Sequence, residues 1–238
     1  MLVVTGYTGI HNTHIFISPS NGSKFVSKFE GKCYFLSNNL QLKKQAERAG
    51  WNFVFLDNLQ QVDNFRISSL QSKYIKFLQF DKQIIGANEN DDILYFDHKL
   101  HITNQHIEKI KNICNSDILL RYTPSIKNID DEIYSSIIHK TALRYTEFMP
   151  QTLSWLDQKY KENYTNNYRI ANTGIIYYKN PTLVKNLCDQ VYQTCINLGQ
   201  PQCQIIWGIL SQKYEKNIQY IDWNMLKIHR RDSYSFQI

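Results

Sequence analysis

The stretch DDILYFDHKLHI, residues 91–102, most directly indicates the fold of this chain. Its four consecutive apolar residues at 93–96 are followed by Asp97, His98 and Lys99. An uninterrupted apolar run of this kind is typical of a strand buried on both faces of a mostly parallel sheet. Open α/β sheets bind ligands beyond the carboxyl ends of their strands, so the polar residues after this run are candidate site residues.

Strand and helix patterns alternate on both sides of this run. Apolar runs predict further strands at 2–7, 32–39, 51–58, 116–123, 168–178 and 217–223. Apolar residues at helical spacing predict helices at 42–49, 68–80, from 104 onward, 129–163, 183–195 and 201–210. The alternation predicts one α/β domain over residues 1–238, a Rossmann-like fold with a mostly parallel central sheet flanked by helices.

Several single residues sharpen this prediction. Asn104 is expected to cap the helix that follows it, and Pro150 is expected to interrupt the helical pattern around it. Gly174 lies inside a predicted strand, where glycine often marks a bulge or a close approach of a ligand to the backbone. Cys188 and Cys195 fall on the apolar face of a predicted helix.

The composition restricts the classes of partner. The 27 basic and 21 acidic residues give a net charge of +6, which favours an anionic ligand or peripheral contact with an anionic membrane surface. The basic residues are scattered and no nucleic-acid-binding motif occurs, so we expect no nucleic-acid partner. Five cysteines without a CxxC pair predict reduced thiols and a cytoplasmic protein. Neither a signal peptide nor a membrane-spanning helix is expected.

The segments occur in an order that resembles a family of known enzymes. LVVTGYTGIHN, KCYFLSNN, AGWNFVFLDN and SKYIKFL are followed by DDILYFDHKLHI, then by NTGIIYYKNPTLVKNLCDQVYQ and PQCQIIWGIL. This succession, over roughly residues 2–214, resembles a group of GT-A-type glycosyltransferases that includes bacterial polysaccharide enzymes and a plant family once described as a domain of unknown function. DDILYFDHKLHI resembles the strand of that group that carries a variant DxD motif.

The resemblance implies which residues bind a nucleoside diphosphate sugar. The turn after the first strand, with Asn38 and Asn39, would receive the nucleoside. The residues of these predicted donor contacts are Thr5, Gly6, Tyr7, Asn38, Asn39, Lys73, Lys76, Lys99, Asn172, Thr173 and Gly174. The last three would face the sugar or the acceptor.

The resemblance also implies a divalent cation at Asp97. Sugar transfer builds up negative charge on the leaving diphosphate, and Mn²⁺ or Mg²⁺ held by carboxylates commonly neutralises that charge. Lys99 or His98 occupies the place of the second acid of a DxD motif, so His229 is the further predicted ligand. In the alternative, Lys73, Lys76 and Lys99 neutralise the diphosphate directly and no metal takes part.

The predicted catalytic residues are Asp97, Gln204 and Asp189. Gln204 matches the glutamine of an "RDQ" pattern in the family, whereas Cys203 stands where that pattern has its acid. Asp189, Glu147 or Glu132 would then supply the missing carboxylate. The resemblance implies a transferase that adds a sugar to a glycan or lipid-linked glycan in surface polysaccharide synthesis, at the inner face of the membrane. The alternative is an inactive GT-A-like binding or scaffold protein.

Overall fold

The computed structural model describes residues 1–9, 32–98, 100, 102–138, 143–166 and 168–228. The strands are β1 (Leu2–Tyr7), β2 (Lys32–Ser37), β3 (Asn52–Phe55), β4 (Ile93–Phe96), β5 (Ile118–Tyr122), β6 (Ala171–Tyr178) and β7 (Ile218–Asp222). The α-helices are α1 (Lys43–Arg48), α2 (Phe65–Lys76), α3 (Asn104–Ile113), α4 (Ile129–Ile138), α5 (Leu143–Thr146), α6 (Met149–Lys161), α7 (Lys185–Leu198) and α8 (Cys203–Leu210). Short 3-10 helices span Leu40–Leu42, Lys82–Ile85, Ser211–Asn217 and Trp223–Leu226.

The seven strands form one central sheet in the order β3-β2-β1-β4-β6-β5-β7. Neighbouring strands are parallel except that β6 runs antiparallel to both β4 and β5. The chain builds outward from β1 to β3 and then crosses back to place β4 on the other side of β1. In open α/β sheets such a change of direction leaves a crevice beyond the carboxyl ends of the two central strands. The predicted mostly parallel α/β fold is confirmed.

Helices cover both faces of the sheet and produce two layers of core. The first layer contains Tyr95, Ile176 and Trp207, and the ring of Trp207 stacks on Phe77 with centroids 6.0 Å apart. The second layer, on the opposite face, contains Leu94 and other side chains of the alternate positions. The run at 93–96 is buried at every position, as the sequence predicts. Cys188 and Cys195 are also buried, which confirms their expected place on an apolar helix face.

Two helix boundaries differ from the predictions. The cap of α3 is Thr103 rather than Asn104, because Thr103 and His106 form a reciprocal capping box. Pro150 does not interrupt a helix: it lies in the first turn of α6, where the missing backbone N–H costs nothing. In the described part of 129–163, the predicted helical patterns correspond to α4, α5 and α6, and the break nearest Pro150 precedes it, between Thr146 and Met149.

The close packing of α2 against β1 depends on one glycine. A Cβ at Gly6 would clash with the carbonyl oxygen of Leu36 and would lie 2.6 Å from Cδ1 of Ile75. Gly6 therefore lets α2 lie directly over the carboxyl end of β1. Within the described part of the chain, no helix combines the length and the apolar character that crossing a membrane requires.

Candidate functional site

A cavity of about 270 Å³ lies beyond the carboxyl ends of β1 and β4, at the crevice that the strand order creates. We call it the switch-point pocket. Its lining residues are Gly6, Tyr7, Thr8, Phe65, Ser68, Ser69, Ser72, Lys73, Lys76, Tyr95, Asp97, His98, Tyr145, Thr173, Pro201, Gln202, Cys203 and Gln204. Seven positions predicted from the sequence are among them: Gly6, Tyr7, Lys73, Lys76, Asp97, Thr173 and Gln204.

An ion pair between a buried lysine and a partly exposed aspartate forms the floor of the pocket. The Lys76 ammonium lies 3.2 Å from Oδ1 of Asp97, and the hydroxyl of Tyr95 donates to the same oxygen at 2.8 Å. The ammonium also lies 3.4 Å from the hydroxyl oxygen of Thr173. Lys76 is 5% exposed, so its charge is held almost entirely by these neighbours rather than by water.

The protonation states of this floor follow from its contacts. Burial lowers the pKa of Lys76, but the Asp97 carboxylate, the nearby Cys203 and the hydrogen bond to Asp97 outweigh burial, so the pKa is raised overall. Burial, followed by the charge of Asp97, raises the pKa of Tyr95 well above its usual value. At neutral pH the floor therefore contains an ammonium cation and a protonated phenol that donates a hydrogen bond to Asp97.

A polar stripe on α2 forms one wall. Asn64 caps this helix by accepting from the backbone N–H groups of Arg66 and Ile67, which fixes where the helix begins. Ser69, Ser72, Lys73 and Lys76 then recur at three- and four-residue spacing, and all four line the pocket. Lys73 is 8% exposed, and among the described residues its ammonium has a single polar contact, the Ser72 hydroxyl at 3.5 Å.

The end of β1 forms a second wall. Thr5 is buried and donates from its hydroxyl to the carbonyl of Phe96 at 2.7 Å, which joins β1 to β4 below the pocket. Tyr7 packs edge-on against the imidazole of His98 at a centroid distance of 5.2 Å. Nδ1 of His98 lies 3.3 Å from the carbonyl oxygen of Gly6, which accepts a hydrogen bond when Nδ1 carries a proton. Gly6 and Tyr7 thus line the pocket, and Thr5 supports it from beneath.

Asn38 and Asn39 do not line the pocket. Asn38 accepts from the backbone N–H of Gly9 at 3.0 Å and donates to the carbonyl of Gln60 at 2.9 Å. Asn39 donates to the carbonyl of Gly9 at 3.2 Å. Both side chains are buried and hold the turn that follows β1. Their predicted proximity to that turn is present, but their amides contact the protein backbone rather than the cavity.

Within residues 172–174 of β6, the side chain of Thr173 faces the pocket, whereas the side chain of Asn172 contacts Arg121. The hydroxyl of Thr173 faces the pocket and lies 3.3 Å from Sγ of Cys203. The side-chain oxygen of Asn172 instead accepts from Arg121 at 3.3 Å and from the backbone N–H of Gly174 at 3.2 Å. The carbonyl of Gly174 accepts from the backbone N–H of Asp97 at 2.8 Å. The register between β5 and β6 shifts here, as expected for a bulge at Gly174.

The amino end of α8 closes the pocket opposite α2. Cys203 and Gln204 occupy its first turn, and its capping residue, Gln202, makes no side-chain cap. Helix N-termini carry partial positive charge, so this end is electrostatically suited to an anion. The side-chain amide of Gln202 donates to the buried carboxylate of Glu132, which places Glu132 behind the pocket wall.

Other candidate carboxylates lie away from the pocket. Asp189 is on α7, where it pairs with Lys185 and accepts from Gln79 at 2.8 Å. Glu147 forms an exposed ion pair with Arg66 at 3.0 Å. Neither residue lines the cavity. Lys99 and His229, predicted as a phosphate contact and a metal ligand, lie outside the described residues.

The described residues fit a divalent cation poorly. Within the described ranges there is no group of three His, Cys, Asp or Glu side chains placed to hold a metal ion. Asp97 is the pocket's carboxylate among these residues, and its Oδ1 already faces the Lys76 ammonium. Mg²⁺ and Mn²⁺ favour several oxygen ligands, and a cation close to Lys76 would be repelled. We therefore derive no chemical step through a metal.

Some pocket residues were missed at the sequence level. Tyr95 resembles a core residue, although it lies two positions before Asp97 and therefore on the same face of the strand. Ser69 and Ser72 share a helix face with the predicted lysines, and this spacing could have identified them. Tyr145 reaches the pocket from α5 through the tertiary fold, for which the sequence contains no local signal.

Comparison with known proteins supports the fold assignment. No protein-family model matches this chain, and no curated sequence matches it. The fold is similar to that of the galactosyltransferase LgtC in complex with donor and acceptor sugar analogues, with a TM-score of 0.52, 10% identity and coverage of 92% of this chain and 73% of that one. A structure of an active-site mutant of LgtC gives a TM-score of 0.50, 12% identity and coverage of 92% and 72%. At these identities the likeness shows a GT-A-like fold.

Proposed function

We propose that this chain is a glycosyltransferase that moves a sugar from a nucleoside diphosphate sugar to a glycan or lipid-linked glycan acceptor. The observation that carries the proposal is the position of the switch-point pocket in a GT-A-like sheet, together with its excess of positive charge. Among the described residues, two ammonium groups and one carboxylate line it. A diphosphate is the anionic part of the donor, and such a pocket would attract it.

The pocket geometry supports a specific orientation of the donor. The diphosphate would lie between the ammonium groups of Lys73 and Lys76 and the amino end of α8, where the partial positive charge of a helix N-terminus adds to theirs. The nucleoside would extend toward Gly6 and Tyr7, over the turn that Asn38 and Asn39 hold. The sugar would then lie near Gln204, on the side of the diphosphate away from the nucleoside.

The chemistry of transfer requires these charges. The bond between the anomeric carbon and the diphosphate oxygen breaks, and its electron pair remains on that oxygen. A bond forms between the acceptor hydroxyl oxygen and the anomeric carbon, and the hydroxyl proton passes to a base or to solvent. Positive groups near the departing oxygen stabilise the negative charge that develops there. Electrostatic stabilisation of this kind is the largest contribution to the rate enhancement in many active sites.

Donor turnover tests the proposal. Purified protein should release free nucleoside diphosphate from at least one of a panel of UDP-, GDP- and CDP-linked sugars, and Asp97→Ala should reduce the rate about 100-fold or more, because it unpairs the pocket charges. Asp57→Ala, which removes an exposed acid elsewhere, is the matched control. Thermal melting of each variant separates loss of chemistry from loss of fold.

One observation favours an inactive binding or scaffold protein as a second candidate. Cys203 occupies the pocket position at which the resembling family has an acid, and none of the other candidate acids lines the cavity. A scaffold would bind nucleoside diphosphate sugars without releasing the diphosphate. Equal background rates in the wild type and Asp97→Ala, with nucleotide binding retained, would support it.

The setting of the reaction is also part of the proposal. We place the enzyme in the cytoplasm, in contact with the inner face of the membrane, where its net charge of +6 would favour anionic lipid headgroups. The acceptor would belong to a surface polysaccharide. Co-sedimentation with anionic vesicles, compared with neutral ones, tests the membrane contact independently of transfer.

A further inference from the structure

The ion pair of Asp97 and Lys76 places a positive charge beside the aspartate at which the resemblance implies a divalent cation. The Lys76 ammonium lies on the pocket floor, 3.2 Å from Oδ1 of Asp97 and 3.4 Å from the hydroxyl of Thr173. The side chain belongs to the last turn of α2, which is anchored because its backbone carbonyl accepts from the hydroxyl of Tyr178 at 2.7 Å. The ammonium is therefore a fixed part of the pocket.

Asp97 is already engaged in a way that suits a lysine partner. Its Oδ1 receives hydrogen bonds from the Tyr95 hydroxyl and from Lys76, and its backbone N–H donates to Gly174. With these contacts, the Asp97 carboxylate is placed to hold the Lys76 ammonium in a fixed orientation. To serve as a metal ligand through Oδ1, Asp97 would have to release Lys76, and the buried ammonium would then lose its counter-charge.

Lys73 supplies a second, independent observation. It lies one turn before Lys76 on the same helix face, and both line the pocket. Among the described residues, the ammonium of Lys73 contacts only the Ser72 hydroxyl, although the residue is 8% exposed. A nearly buried ammonium without an acidic partner is unfavourable unless an anion neutralises it. Its position therefore indicates a bound anion.

We propose that Lys73 and Lys76 together neutralise the pyrophosphate of the donor in place of a divalent metal, and that Asp97 is a positioning residue that holds Lys76 in the pocket. This inference rests on the proposed function. The two ammonium groups keep their protons throughout the transfer. They stabilise the electron pair that remains on the diphosphate oxygen when the bond to the sugar breaks.

Calorimetric titration with UDP, GDP and CDP, in EDTA and in Mn²⁺, tests this inference. We expect at least one nucleoside diphosphate to bind in EDTA with an affinity that Mn²⁺ leaves essentially unchanged. Lys73→Met and Lys76→Met should each weaken binding by about 10- to 100-fold, the usual loss for a hydrogen bond to a charged group. Lys43→Met, on the exposed side of α1, is the matched control and should bind normally.

The double variant Lys76→Met/Asp97→Asn distinguishes a loss of binding from a loss of the fold. It removes both charges of the pair, so the pocket floor stays neutral and the fold is not left with a single buried charge. If Lys76 contacts the pyrophosphate, this variant should melt cooperatively and still show the weakened binding. Wild-type affinity in the folded double variant would overturn the role of Lys76.

The pH dependence of binding tests the positioning role of Asp97. Without the carboxylate, Lys76 loses the partner that raises its pKa, so the affinity of Asp97→Asn for UDP in EDTA should decline at a lower pH than that of the wild type. An unchanged pH profile would contradict this role. A purely structural carboxylate would change stability without shifting the profile.

The remaining outcomes separate this inference from the proposed function. Binding that occurs only with Mn²⁺, and is abolished by Asp97→Asn, would overturn the lysine proposal and leave sugar transfer standing. Binding of UDP and of inorganic pyrophosphate in EDTA, without turnover of any nucleotide sugar, would support the lysine site and overturn the transferase. No binding of any probe under either condition would overturn both.

Discussion

Lys76 and Arg121 are buried cations on opposite faces of the central sheet near Asp97, and they differ in the groups that contact their charges. Lys76 lies on the pocket face, beside the first core layer, with a carboxylate at 3.2 Å. Arg121 lies on the opposite face, where it is 0% exposed and its guanidinium stacks 3.9 Å above the ring of Trp223. Nε and Nη1 of Arg121 have no hydrogen-bond partner among the described residues, and Nη2 reaches Asn172 at 3.3 Å.

The pKa values record this difference. Asp97 and the other neighbours of Lys76 overcome its burial and raise its pKa, whereas burial lowers the pKa of Arg121 to about 10, with Asp97 offsetting only part of the loss. The carboxylate is therefore committed to the cation that faces the cavity. Asp97 thus pairs with Lys76 on the pocket face, although Arg121 is the more deeply buried of these two cations.

The largest expected effect on stability belongs to the paired cation. Lys76→Met should lower the free energy of unfolding by about 3 kcal/mol, because it removes the cation paired with Asp97, a carboxylate whose side chain is only 21% exposed. Urea denaturation measures the loss. Addition of Asp97→Asn should recover part of it, and a double variant less stable than the single one would contradict the pairing argument.

The same pair predicts a pH dependence at the alkaline end. The folded pKa of Lys76 is raised above 10.5, its ordinary value. The contribution of the charged Lys76 side chain to the free energy of unfolding is therefore complete below pH 10.5. It is lost as the pH rises through the higher pKa of the folded state. The difference in stability between the wild type and Lys76→Met should shrink only above about pH 10.5. A difference that disappears nearer neutral pH would contradict the raised pKa.

The next effect concerns the contact that places α2 over the pocket. Gly6→Ala should cost about 1–3 kcal/mol or more, because the added Cβ would clash with the Leu36 carbonyl and meet Ile75 at 2.6 Å. Gly208→Ala is the control: its Cβ would first meet the flexible Cδ1 of Ile170 at 3.0 Å, and alanine favours the helix. Thermal melting should show a large loss for the first and little change for the second.

The unpaired cation should matter less for stability. Arg121→Met removes a buried guanidinium that has two unsatisfied nitrogens, so the change in unfolding free energy should stay within about 1 kcal/mol or favour the variant. Parallel denaturation of Arg121→Met and Lys76→Met sharpens the comparison directly. Equal losses in the two variants would show that pairing with Asp97 does not distinguish the faces.

The smallest effect is on thiol reactivity, and it separates the two faces again. Cys203 lines the pocket, whereas Cys33 belongs to the core on the opposite face, where burial raises its pKa to about 12. Both should react slowly with iodoacetamide because both are buried. UDP should slow the alkylation of Cys203 and leave Cys33 unaffected, as measured by peptide mass spectrometry. Equal protection of both thiols would indicate a general tightening of the fold instead.

The fold could be predicted from the sequence where a single pattern determines the structure. The apolar run at 93–96 specifies a buried strand whatever its neighbours are, and it is buried at every position. Pro150 shows where such reasoning fails, because the same residue can end a helix or open one, and the choice depends on the preceding turn. The antiparallel insertion of β6 depends on tertiary packing, which no local pattern encodes.

The candidate site was predictable to a different extent. Asp97, Lys73 and Lys76 could be identified because strand ends and helical spacing indicate a direction for each side chain. That Lys76 pairs with Asp97 depends on the approach of α2 to β4, across 21 residues of chain, and sequence spacing does not determine it. Asn38 and Asn39 also follow a strand end, but their amides bond to the backbone of Gly9, and a strand-end position alone does not specify such a contact.

A crystal structure of the protein with UDP and Mn²⁺, with anomalous scattering to locate manganese, tests the central claim most directly. We expect the pyrophosphate in the switch-point pocket, with its oxygens within about 4 Å of the ammonium groups of Lys73 and Lys76, as in any ion pair. We also expect no manganese peak between Asp97 and the phosphates. A manganese ion bound there, or a nucleotide bound away from this pocket, would contradict the central claim.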